Sequence, residues 1–164
     1  MGTRNLTKVI DKDGTVKVAQ YGQWDGYPSG QGINALIHAY NYRQIEKGLD
    51  KVRWATQEEL DKINSDVNNW TTDFSQVFPT LSRDTCADIL GYVAWSVGEI
   101  ILVDNSEFEN DELFCEAVYT IDFVQKRFIS TYDGHTLYHE LEDLPEPKEY
   151  LAEWATELDP GTAG

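Results

Sequence analysis

Arg127-Phe128-Ile129-Ser130-Thr131-Tyr132-Asp133-Gly134-His135-Thr136-Leu137-Tyr138-His139-Glu140-Leu141 reads as a β-hairpin. Asp-Gly at its centre suits the left-handed positions of a two-residue turn, and the flanks are rich in β-branched and aromatic residues. Working back from it, Leu113 to Phe123 and Glu99 to Val103 read as further strands. Working forward, Pro145 and Pro147 interrupt the chain before a short amphipathic helix carrying Tyr150, Leu151, Trp154 and Leu158. The N-terminal end repeats the hairpin grammar: Thr3 to Ile10, Asp13-Gly14 as the turn, and Thr15 to Tyr21 returning.

Between these two groups of strands the hydrophobic period becomes helical. Ile33, Leu36, Ile37 and Tyr40 fall at i, i+3, i+4 and i+7 in a helix opening near Gln31, and Gly48 supplies its stop. Thr56-Gln57-Glu58-Glu59 is a capping box that starts a second helix. A third is expected from about Ser82 to Ser96, burying Cys86, Ile89, Leu90, Val93 and Trp95. The irregular stretch from Asn68 to Thr80 carries Trp70, Phe74 and Phe78 as pins to the core. Strands grouped apart from helices indicate α+β. The expected chain is an N-terminal hairpin, central helices, C-terminal antiparallel strands and a final short helix, open to a layered sandwich. One domain over 1–159 and a frayed tail over 160–164 complete that expectation.

The 164 residues carry a net charge of −16, unevenly spread. From Glu99 onward there are 17 acidic and 3 basic residues; before it there are 12 and 10. Such a field repels phosphate backbones, because polyanion binding needs Lys and Arg to displace counterions, so direct nucleic-acid binding is not expected. It would instead suit docking on a basic host protein. No apolar run approaches the roughly 20 residues of a membrane span, and Leu6 stands where a myristoylation motif wants Ser or Thr. Cys86 and Cys115 are too few for a disulfide framework and read as reduced thiols in a cytoplasmic chain.

The candidate site is the opening strand with the loop and helix start that follow the first hairpin. Gly22-Gln23-Trp24-Asp25-Gly26-Tyr27-Pro28-Ser29-Gly30-Gln31-Gly32 holds four glycines and two large aromatics. A helix start exposes free amides and the positive end of a dipole, and glycines let a ligand approach the backbone. In that reading Arg4 and the amides of Ser29, Gly30, Gln31 and Gly32 take a phosphate. Trp24 and Tyr27 stack on a flat ring, while Asn5, Gln23 and Asp25 read its polar edge beside Thr3. The loop matches neither a Walker nor a Rossmann fingerprint. A tight turn whose rings merely cap the core stands as the alternative.

No metal or cofactor site is expected. His135 and His139 on one strand would lie about 13 Å apart, too far to share an ion. The acidic run from Asp104 to Glu112 lacks the glycine and glutamate of an EF-hand loop. No complete catalytic set is legible, so no residue is assigned a catalytic role. The element order also suits an N-terminal-nucleophile hydrolase, yet removal of Met1 would leave Gly2 first and Thr3 one residue short of the required position.

Thr3-Arg4-Asn5, Asp13-Gly14, Trp24-Asp25-Gly26-Tyr27-Pro28 and Gly32, with the block from Asp111 to Asp122, resemble a family of small proteins common in phage and prophage genomes. The family has no settled activity, so the resemblance implies context alone: an accessory protein of phage type, working in the host cytoplasm, where inhibitors of defence are frequent. The leading expectation is a non-enzymatic protein that binds a small anionic, nucleotide-like ligand and sequesters a host immune signal. An acidic module inhibiting a host nucleic-acid-binding enzyme is the second. Homo-oligomer formation through strands of the second half is left open.

Overall fold

The computed structural model describes residues 3–61, 85–110 and 115–159. The chain is α+β. Strands β1 (Asn5–Ile10) and β2 (Val16–Gly22) form the first hairpin, followed by a π-helical turn over Pro28–Gly32. Helices α1 (Ile33–Ala39) and α2 (Tyr42–Gly48) come next, then β3 (Val52–Trp54). A 3-10 turn over Cys86–Asp88 leads straight into α3 (Ile89–Trp95), followed by β4 (Ile100–Leu102). The chain ends in β5 (Ala117–Asp122), β6 (Arg127–Tyr132), β7 (His135–Glu140) and α4 (Pro147–Leu158).

The main sheet has the order β2-β1-β5-β6-β7, and β3 and β4 form a separate parallel pair. Both Asp-Gly hairpins form where the sequence puts them. Asp133 and Gly134 sit at φ 50° and 79°, and Gly14 at 86°, the left-handed values a tight turn demands. The β5–β6–β7 meander is antiparallel, as expected. The junction of the two halves is not: β1 pairs with β5 in parallel, Asn5 opposite Ala117 and Val9 opposite Ile121. That register aligns Asn5, Thr7 and Val9 with Ala117, Tyr119 and Ile121 on one face of the sheet.

Helices cover that face. Tyr150 of α4 donates to Ser130 Oγ at 2.8 Å, and Leu36, Ile89, Leu90, Val93, Phe128 and Trp154 pack into one core. Gly48 lets α2 reach α3, because a Cβ there would lie 1.8 Å from the Val93 carbonyl oxygen. The capping box holds: the Glu59 amide donates to Thr56 Oγ1 at 3.2 Å, and the Thr56 amide to Glu59 Oε1 at 3.0 Å. Arg53 adds a forked pair to the same carboxylate, and together these bonds hold Glu59 down to about 2.

Three expectations need correction. The helix from Gln31 to Gly48 breaks at Tyr40–Asn41 into α1 and α2. Its buried face is Ala35, Leu36 and Ala39, leaving Ile37 and Tyr40 exposed. Small residues win that face because they let α1 nest against the turn carrying buried Ala87. Trp95, expected in the core, is 62% exposed at the end of α3. Strand β3 went unread, since three residues show no period. Trp70, Phe74 and Phe78 lie outside the described residues. Among those described, no helix is long and apolar enough to cross a membrane.

Candidate functional site

The opening strand and the glycine-rich bend meet. The Gly26 amide donates to the Thr3 carbonyl at 3.0 Å, and Asn5 Nδ2 reaches the carbonyls of Thr3, Gly22 and Trp24 at 3.2, 3.4 and 3.1 Å. From beneath, the Tyr119 hydroxyl donates to the Gly26 carbonyl at 2.6 Å. Gly26 must lack a side chain, because a Cβ would stand 2.7 Å from the Thr3 carbonyl oxygen. Asp25 turns the chain with φ 56°, a conformation Asp tolerates better than most residues. Pro28 then opens the π-helical turn at a position where a missing N–H costs nothing.

That turn spends its own donors. The Gly30 and Gly32 amides donate to the Tyr27 carbonyl at 2.9 and 3.2 Å, and the Gln31 amide to the Asp25 carbonyl at 2.7 Å. In this conformation these three amides therefore form no phosphate cradle. A Cβ on Gly30 would fall 2.3 Å from the Asp25 carbonyl oxygen, so the glycine serves the close return of the chain. Gly32 is buried against the rings of Tyr119 and Tyr150.

Side chains divide the same way. Thr3 and Asn5 are 3% and 0% exposed, so they hold the bend and touch no solvent-borne ligand as the chain stands. Gln23 accepts the Tyr21 hydroxyl at 2.6 Å, and Gln31 Oε1 accepts from the Ala87 amide and from Asn34. Trp24, Asp25, Tyr27 and Ser29 face solvent, with Trp24 and Tyr27 49% and 47% exposed. Arg4 is half-buried between Thr3 and Asn5, and its carbonyl accepts the Glu116 amide at 3.1 Å.

Three residues that sequence reasoning left aside complete the neighbourhood. Tyr119 supports Gly26 from the sheet; Tyr132 meets Tyr27 edge to face at 6.2 Å; Cys86 lies against the Trp24 carbonyl. Cys86 is buried with φ 50°, and the space beside its sulfur and Asn5 Oδ1 is where Gly22 lacks a Cβ. Asn5 Oδ1 itself is buried without a partner among the described residues. A positive φ at a non-glycine leaves no sequence mark, so Cys86 was legible only as an apolar position. Burial pushes the Tyr132 hydroxyl up, with the Asp133 carboxylate, Tyr27 and the Glu116 carboxylate adding to it.

Elsewhere each histidine meets a carboxylate: His38 with Asp88 at 3.1 Å, His135 with Glu157 at 3.1 Å, and His139 with Glu153 at 2.6 Å. The two on β7 fasten it to α4. No protein-family model, curated protein or solved structure matches the chain.

Proposed function

We propose that the bend is a stacking platform for a small, flat ligand carrying one anionic group, as in a nucleoside monophosphate or a cyclic mononucleotide. The observation that carries this reading is the pairing of two half-exposed rings, Trp24 and Tyr27, with a backbone fixed by internal bonds. Rings held in place lose little freedom on binding, so more of the stacking energy appears as affinity. Arg4, immediately before β1, is the residue assigned to the anionic group. Asp25 and Ser29 are exposed beside the rings and serve the polar edge.

The charge pattern limits the ligand. With three loop amides spent and Glu116 and Asp133 near Tyr132, each added phosphate meets more opposition, so a triphosphate is the poorest fit. In a phage-type setting a binder of this kind acts by sequestration, withdrawing a nucleotide signal of the host defence without chemical turnover.

Isothermal titration with AMP, ADP, ATP and cyclic AMP tests the proposal. Affinity is expected to fall as phosphates are added, and Trp24→Ala is expected to weaken binding about 5- to 150-fold, the worth of one stacked base. Arg4→Ala should weaken the charged ligands while sparing adenosine. Absence of binding by all four ligands, or binding indifferent to both variants, would overturn it.

A further inference from the structure

A second aromatic surface lies away from the bend. The C-terminal end of α3 brings Trp95 out between two hollows. The first, about 670 Å³, is lined by Tyr40, Tyr42, Arg43, Gln44, Trp95 and Glu142 among others. The second, about 440 Å³, lies on the other side, with Tyr92, His38 and Asp88 in its walls. Trp95 is 62%, Tyr40 44% and Tyr92 38% exposed, and Ile37 and Val97 are also exposed. The three rings alone leave roughly 300 Å² of aromatic surface in water. That is the size of the largest apolar patch on an ordinary monomer, a patch that is often functional.

Shape and charge identify the occupant. A single ring standing between two hollows is a knob with holes beside it, an arrangement that fits its own copy turned about a twofold axis. Arg43 stacks on Tyr42 at 5.5 Å and, unlike Arg53 and Arg127, closes no ion pair among the described residues. Glu142, in the wall of the same groove, closes none either. Arg43 and Glu142 line the same groove with opposite charges, so a second copy seated on it offers each a partner. Most of this surface belongs to the part of the chain before Glu99, where 12 acidic and 10 basic residues nearly cancel.

We infer that the chain forms a twofold homodimer through the Trp95 ridge, with Trp95 seated in the partner's groove and Arg43–Glu142 pairs at its rim. The composition of the ridge, Trp with Tyr and Arg, is that of interface hot spots. The expected dimer does not use the strand edges of the second half and leaves the Trp24 platform open on both copies.

Sedimentation velocity over a wide range of protein concentration tests this, with far-UV circular dichroism as a check on folding. The natural chain is expected to show a monomer–dimer equilibrium. Trp95→Ala should raise the dimer dissociation constant at least about 30-fold, since the lost side chain acts twice. Arg43→Glu should weaken the dimer, and Arg43→Glu with Glu142→Arg in one chain should restore it. A natural chain that stays monomeric at every concentration, a dimer indifferent to Trp95→Ala, or a double reversal that restores nothing would each overturn the inference.

Discussion

The bend at Trp24–Tyr27 and the ridge at Trp95 both hold large rings in water, but they do so on opposite terms. In the bend nearly every described polar group is spent inward: Asn5 on three carbonyls, Tyr119 on Gly26, and the Gly30, Gln31 and Gly32 amides on Asp25 and Tyr27. Only the rings and a few short side chains face out. On the ridge the scaffold is the close packing of α2 on α3; on one side of the ring His38 is paired with Asp88, while on the other Arg43 and Glu142 close no ion pair among the described residues. Exposed rings on a backbone held by internal bonds suit a small planar ligand. A ring flanked by hollows and unspent charges suits a protein surface. The difference shows that exposed aromatics become informative when the accounting of neighbouring donors and acceptors is complete.

The contrast can be broken most forcefully at the glycines. Gly48→Ala drives a Cβ to 1.8 Å from the Val93 carbonyl oxygen, backbone against backbone, and is expected to cost about 3 kcal/mol or more by urea unfolding. It should also abolish the dimer, because the ridge rests on that packing. Gly30→Ala meets the Asp25 carbonyl oxygen at 2.3 Å, a milder clash than that at Gly48, so about 2 kcal/mol is expected. Equal costs would mean that the bend is as firmly fixed as the helix pair.

Asn5→Ala examines the bend from below. Removing a donor shared by the Thr3, Gly22 and Trp24 carbonyls should cost about 2 kcal/mol. The Trp24 ring should also gain mobility, read as a fall in tryptophan fluorescence anisotropy while the dimer persists. Loss of the dimer in this variant would show that the two regions are coupled.

A smaller effect concerns the two buried tyrosines beneath the bend. Burial pushes the Tyr150 hydroxyl up to about 12, and burial likewise pushes Tyr119 up. An unfolded tyrosine ionises near 10, so above that pH the unfolded chain sheds protons that the folded chain keeps. The stability these groups contribute is complete below about pH 10 and is lost as pH rises through the folded value. Alkaline unfolding should therefore steepen above about pH 10, and Tyr150→Phe should reduce the slope by up to about 1.4 kcal/mol per pH unit. An unchanged slope would contradict the burial of that hydroxyl.

Much of the fold was legible because its signals are local. Asp133-Gly134 fixed a hairpin whose strand β6 begins and ends where expected, and Thr56 with Glu59 announced a helix start by side-chain chemistry alone. The parallel pairing of β1 with β5 was not legible, since it depends on where a distant strand returns. The face of α1 misled because Ile37 and Tyr40 are the more hydrophobic choice, whereas packing space selected Ala35 and Ala39. At the site, the meeting of strand and bend was readable from the density of glycine and aromatic residues. The fate of the loop amides was not, because it turns on the left-handed Asp25 and the width of one helical turn.

The central claim, that Trp24 and not Trp95 carries the ligand, is tested most directly by nuclear magnetic resonance of the five tryptophan indoles. Addition of AMP should shift the Trp24 indole signal saturably and leave that of Trp95 unmoved, while dilution of the protein should move Trp95 and leave Trp24 in place. A Trp24 signal unaffected by AMP at saturating concentration, or a Trp95 signal that follows the nucleotide instead, would contradict the account.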